Sequence, residues 1–218
     1  MTKKEIENIV IAEFEVPTMA TTKQYLEIHS AVSENGVIKV DRIDLESSDD
    51  VAIVYVPVED EHFHFAVYVD VVKREVSGIG TESWNRVYFR ATSDIFSFAE
   101  LKAFTTLEPT EYWNKGDLRN NRKSRHSFSC FKIESNPEPD EFEDKLNKLI
   151  DVLEKDASGI KSITEKTDAE IMVAMNFHNG NGMLGGMNID KESIKRISDL
   201  NLSMTFDLYA DGNKFKEE

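Results

Sequence analysis

The sequence predicts an α+β protein with mixed or largely antiparallel sheets and helices on one face. Three observations carry that prediction. Runs that alternate apolar and polar residues recur, the clearest being His62 to Val72, where Phe63, Phe65, Val67 and Val69 share one side and His64, Ala66, Tyr68 and Asp70 the other. Other stretches place apolar residues at helical spacing, above all Phe142, Leu146, Leu149, Ile150 and Leu153. Strands and helices alternate after about residue 86, yet several strands keep a polar side, which calls for a sheet with one wet face.

The first half reads as strand-rich. Ile9 to Val16 is apolar and β-branched up to Pro17 and predicts a strand, and Val37 to Leu45 follows an Asn35-Gly36 turn signal. Val51 to Val58 is a nearly continuous apolar run with Pro57 close to its end, which suits a strand end or sheet edge. Residues 21–33 fit neither period. Ser77 to Ser83, with Gly78 and Gly80, reads as a loop. It divides a strand-rich region or small domain, residues 1–85, from an α+β domain, residues 86–218.

In the second part Arg86 to Ala91 predicts a strand. Ser97-Phe98-Ala99-Glu100 has capping-box spacing for a short helix that must stop before Pro109. Ser127 to Ile133 alternates as a strand, and the longest helix starts at about Asp140 and is expected to end near Gly159. Ala169 to Phe177 is a strand, Asp190 caps a helix carrying Ile194, Ile197 and Leu200, and Leu202 to Tyr209 alternates again.

Composition bounds the function. Of 218 residues 40% are hydrophobic, and 13 Phe make a sizeable core affordable without metal or disulfide; the single Cys130 excludes a disulfide framework. Formal net charge is −15, from 26 basic and 41 acidic side chains, with most of the excess in the first 85 residues. Such a field repels nucleic acid and anionic membrane and favours a basic partner, although an acidic surface also serves solubility alone. No uncharged apolar run reaches the roughly 18 residues needed to span a bilayer, and no apolar signal core follows Lys3-Lys4, so the expected setting is soluble and cytoplasmic.

The most unusual local chemistry lies between Trp113 and His126. This loop contains Lys115, Arg119, Arg122, Lys123, Arg125 and His126 with Asp117 as its one acidic residue. Trp113, Lys115, Gly116, Asp117, Arg122, Arg125 and His126 form a candidate binding site for a phosphate, a carboxylate or an acidic surface, with Gly116 letting backbone N–H groups approach an anion. Equally, these cations can pair with the protein's own carboxylates while Trp113 plugs the core. His62 and His64, two apart on a strand and close to Glu59, Asp60 and Glu61, are weak metal-ligand candidates without a fixed third ligand. The glycine-rich His178 to Met187 lacks the endings of a phosphate loop and reads as a hairpin. No Gly-x-Ser-x-Gly elbow or cofactor motif occurs, so no catalytic residue and no cofactor is assigned.

The span from Val87 to Asp211 resembles the bacterial family known as domain of unknown function 4279. The likeness rests on the opening strand Val87-Tyr88-Phe89-Arg90-Ala91, the turn Leu107-Glu108-Pro109-Thr110, and Trp113-Asn114-Lys115-Gly116-Asp117. A basic stretch, a Ser/aromatic strand, a long helix and a closing strand Leu202 to Tyr209 follow in order. The sequence departs from the family at Phe128, where a Trp is common, and the likeness does not extend into the first half. It implies a shared fold and a role in bacterial defence or toxin immunity, but no reaction.

Two functions from different classes follow. One is a non-enzymatic interaction protein, such as an immunity-type inhibitor that covers a basic partner. The other is a sensor or enzyme that takes a small anionic ligand in the Trp113 to His126 loop.

Overall fold

The computed structural model describes residues 1–120, 123–179 and 186–215. Its elements run α1 Lys3–Glu15, α2 Ala20–Leu26, β1 Ser33–Glu34, β2 Val37–Ile38, β3 Arg42–Asp44, β4 Val51–Pro57, β5 Phe63–Asp70 and β6 Glu75–Ser93. There follow α3 Phe98–Ala103, β7 Glu111–Trp113, β8 Ser129–Ile133, α4 Phe142–Glu154, α5 Ala157–Thr164, β9 Asp168–His178, α6 Lys191–Asp199 and β10 Ser203–Asp211.

The 19-residue strand β6 joins two sheets. Its first half pairs with β5 to continue β3-β4-β5, all antiparallel. Its second half lies between β9 and β8, which gives the order β10-β9-β6-β8-β7. Pairing there is antiparallel except for β9 and β10, which run parallel, so the fold is α+β as expected.

Each sheet has its own core. Ile6, Val10 and Phe14 of α1, with Tyr25 of α2, cover Val54, Val56, Phe63, Phe65 and Val67 on one face of the N-terminal sheet. The predicted stripe of α4, with Ile160 and Ile163 of α5 and Ile197 of α6, covers Val87, Phe89, Phe131, Ile171 and Val173 of the second sheet. The opposite face of that second sheet is the wet one. On it Arg86 pairs with Glu134 at 2.6 Å, Arg90 with Glu170 at 2.6 Å and Lys132 with Glu111 at 3.0 Å, and Lys132 lies 4.4 Å from the Tyr88 ring.

Three expectations need correction. Ile9 to Val16 is not a strand: it belongs to α1, opened by a capping box in which Thr2 accepts from the Glu5 backbone and Glu5 accepts in return. Burial at Ile6, Val10 and Phe14, four apart, outweighs the β-branched preference of the run. Ser77 to Ser83 is not a loop but the middle of β6, so the division near residue 85 falls inside a continuous strand. A Cβ on Gly78 would make ordinary contact with the Tyr68 ring at 3.6 Å and one on Gly80 would meet open space, so neither glycine interrupts the strand. Helix α4 ends at Glu154, and Gly159 lies within α5, where the Asp156 side chain accepts from its backbone N–H at 3.0 Å. There a Cβ would meet the Phe104 carbonyl at 2.8 Å, so glycine serves close packing rather than a helix end.

The run Val37 to Leu45 divides into two short strands, β2 and β3, rather than one, while the expected turn and caps hold. Asn35 and Gly36, at φ of 54° and 79°, form the tight turn between β1 and β2, and α3 and α6 start on Ser97 and Asp190 caps. The predicted hairpin at His178 to Met187 falls mostly outside the described residues.

Candidate functional site

The basic loop is a hairpin closed on itself. Gly116, at φ of 89°, turns the chain; its N–H donates to the His126 carbonyl at 2.8 Å, and the His126 N–H donates to the Asp117 carbonyl at 2.9 Å. The Asp117 carboxylate accepts from the Asn114 N–H at 2.7 Å. Lys115 donates to the Asp94 carbonyl at 3.3 Å, and Arg125 to the Gly116 carbonyl at 2.6 Å. Trp113 stacks on His126 with ring centres 4.4 Å apart. Trp113, Lys115, Gly116, Asp117, Arg125 and His126 are thus brought together, while Arg122 lies outside the described residues. The Gly116 N–H already has a carbonyl acceptor, which removes the donor that an anion would use. The indole N–H of Trp113 is buried and has no acceptor among the described residues.

A second constellation, drawn from five elements, carries the strongest electrostatic perturbation. On the face of the N-terminal sheet opposite its core, β3 contributes Arg42 and Asp44, β4 Tyr55, β5 His64 and Tyr68, and β6 Glu82. The start of α4 and the turn before it cover that face. Arg42 donates to the Asp140 carboxylate at 2.6 Å and to the Pro139 carbonyl at 2.6 Å, and buried Lys145 donates to the Asn85 carbonyl at 2.6 Å. Burial, aided by the Glu141 carboxylate, pushes the Glu82 carboxyl up to about 7, and burial draws Lys145 down to about 8. The Tyr55 hydroxyl is raised by burial and by Glu82; it is fully buried without a hydrogen-bond partner among the described residues.

One group here has ligand geometry for a cation. Carboxylate oxygens of Asp44, Asp140 and Asp144 lie within 4.8 Å of one another. Arg42, 2.6 Å from Asp140 and 3.5 Å from Asp44, already supplies the positive charge. The weak metal candidates separate. His64 is buried with Nε2 3.1 Å from the Asp41 carboxylate, while His62 is exposed beside Trp84, with Nδ1 3.8 Å from Asp211. The nearby triplet Glu59, Asp60 and Glu61 lines a different cleft together with His29.

Among known families, the profile described as Domain of unknown function (DUF4279) matches residues 82–211, more than half of the chain. The chain belongs to the DUF4279 family. The DUF4279 match starts on β6 and takes in the whole sheet β10-β9-β6-β8-β7 with α3 to α6, leaving α1, α2 and most of the N-terminal sheet outside it. No curated protein and no solved structure matches the chain. Tyr55, Glu82 and Lys145, which the sequence reading did not nominate, lie where the DUF4279 unit meets the added sheet. No local motif marks them, because strand pairing and α4 assemble them from distant segments.

Proposed function

We propose that this DUF4279 protein is a non-enzymatic interaction protein that docks a basic partner along β10. The observation that carries this reading is the state of that strand. It ends the sheet order, pairs only with β9 among the described residues, and exposes nearly its whole length. Leu208 is 53% and Tyr209 54% exposed, with Asp207 and Asp211 on the same strand. An unpaired nine-residue edge offers main-chain donors and acceptors for strand addition, its apolar side chains offer pockets for alternate residues, and the net charge of −15 steers a basic segment toward it. An inhibitor of the immunity type is the narrower form of this proposal.

Capture of tagged protein in lysate of its source, with elution by a salt gradient, tests it. A stoichiometric basic partner released at moderate salt from wild type and absent from Leu208→Lys is the expected result. Equal capture by Leu208→Lys, or release that ignores salt, would remove the β10 reading.

A second reading, a sensor or enzyme for a small anionic ligand at the Trp113 to His126 hairpin, draws on the buried unpartnered indole N–H of Trp113 beside His126. It requires that replacing Lys115 and Arg122 by Ala abolish any thermal shift given by that ligand.

A further inference from the structure

At the C-terminal ends of β9 and β10, three chain segments converge on two buried imidazoles. His29 follows α2, and His178 ends β9; they are 7% and 2% exposed, with their Nε2 atoms 2.9 Å apart. The main-chain carbonyl of Asn213, just past β10, lies 3.0 Å from His178 Nε2 and also bonds to His29. The turn that brings it there is specific. Gly212 sits at φ of 90°, where a Cβ would come within 2.8 Å of the Phe63 ring and 3.1 Å of His178. The Asn213 side chain then donates to the Ile28 carbonyl at 3.0 Å and fixes the segment. On the other side of His29, Glu61 places a carboxylate oxygen 3.7 Å from Nδ1.

Each Nε2 carries at most one hydrogen, and the carbonyl oxygen carries none. Hydrogen bonds join these atoms through one shared hydrogen, as when His178 donates to both the carbonyl and His29. A cation at the centre would instead take a lone pair from all three at once. Two nitrogens 2.9 Å apart, with an oxygen 3.0 Å from one of them, have the spacing of neighbouring ligands about an ion roughly 2 Å from each, which is the Zn–N distance.

We propose that His29 Nε2, His178 Nε2 and the Asn213 carbonyl bind one divalent transition-metal ion, with zinc the first choice. Two imidazoles favour zinc, cobalt or nickel over magnesium and calcium, which take oxygen ligands. Glu61, 3.7 Å from the other nitrogen of His29, occupies the place of the usual carboxylate partner of a metal-bound imidazole. His29 and Asn213 also line a 390 Å³ cleft with Glu27, Glu59, Asp60 and Glu61, whose charge draws cations toward it.

The test is titration of the full-length, EDTA-treated protein with ZnCl₂ by calorimetry and with CoCl₂ by visible absorption. One equivalent of zinc that excess CaCl₂ and MgCl₂ do not displace is expected, together with tetrahedral cobalt bands and a zinc-dependent rise in Tm. His29→Gln and His178→Gln should each abolish all three, Glu61→Gln should weaken zinc about tenfold or more, and His62→Ala should change nothing. The metal-free urea midpoint checks that each variant folds, and Glu61→Gln, at the cleft rim, keeps the test valid if a core variant does not. Absence of stoichiometric uptake by wild type overturns the proposal, as does uptake that His29→Gln and Glu61→Gln leave unchanged.

Discussion

The two halves of β6 pass through two sheets that both carry charge on their second face, yet the charge is handled in opposite ways. On the DUF4279 sheet Arg86, Arg90 and Lys132 each meet a glutamate, and the arginines keep about a third of their side-chain surface in water. Glu134 is accordingly held below its ordinary range by Arg86, against the cost of its partial burial. On the N-terminal sheet α4 closes over the face. Asp140 is sealed between Arg42 and Lys148, Glu82 is pushed up, and Lys145 is drawn down. Alternation of polar and apolar residues is the same in both. What differs is whether a helix lies on top, and coverage turns an ordinary ion-pair ladder into a set of costly, displaced protonation states.

The largest effect should come from the sealed pair. Arg42→Ala leaves the buried Asp140 carboxylate with the half-exposed Lys148 as its one cation beside the neutral donors of Asn136 and the Glu141 N–H, and removal of one member of a buried pair costs about 3 kcal/mol. Urea denaturation measures it. A loss no greater than that of an exposed pair would mean that water reaches Asp140 and that the contrast between the faces is false.

Much of this architecture was legible in the sequence. The α4 stripe, the faces of β5, the Asn35-Gly36 turn and the Ser97 cap all depend on residues close in the chain, and so does the wet face of the second sheet. The capping box Thr2-Lys-Lys-Glu5, with Ile6, Val10 and Phe14 at helical spacing, also announced α1, but the β-branched run at Ile9 to Ile11 masked it. The Trp113 to His126 loop was visible as charge, whereas its internal closure was not, since pairing of Lys115 with Asp94 depends on β6 lying alongside. The junction around Glu82 and the paired His29 and His178 were beyond reach for the same reason. His29 and His178 are 149 positions apart, and only the return of the chain at Gly212 explains their meeting.

Glutamates on the two faces should respond to pH with opposite signs. Glu82 has a folded value of about 7 against an ordinary 4.5. Between those values the folded state binds more protons than the unfolded one, so stability falls as pH rises through that window. Glu82→Gln should leave stability near pH 4 unchanged and raise it at pH 8 by on the order of 2 kcal/mol. Glu134 is depressed, so its contribution is present above its unfolded value and is lost as pH falls through its folded value; Glu134→Gln should therefore destabilise at pH 7 and do so less in acid. Urea midpoints across pH 4 to 8 separate the two, and parallel curves would show that coverage by α4 does not set the Glu82 proton.

The smallest effect is expected on the open ladder. Arg90 reaches Glu170 at 2.6 Å, and the Thr205 hydroxyl donates to the other carboxylate oxygen at 2.6 Å, so the pair is well ordered. Good geometry alone does not make it strong. The Arg90 side chain is 31% exposed, and water and salt screen what the short distance provides. A double-mutant cycle of Arg90→Ala and Glu170→Ala should give a coupling of about 0.5–1 kcal/mol that shrinks as salt is added. A coupling that salt leaves intact and that approaches the loss in Arg42→Ala would mean that order rather than coverage determines the strength of an ion pair in this protein. The different behaviour of the two faces would then have to come from the added strands β3 to β5 rather than from α4.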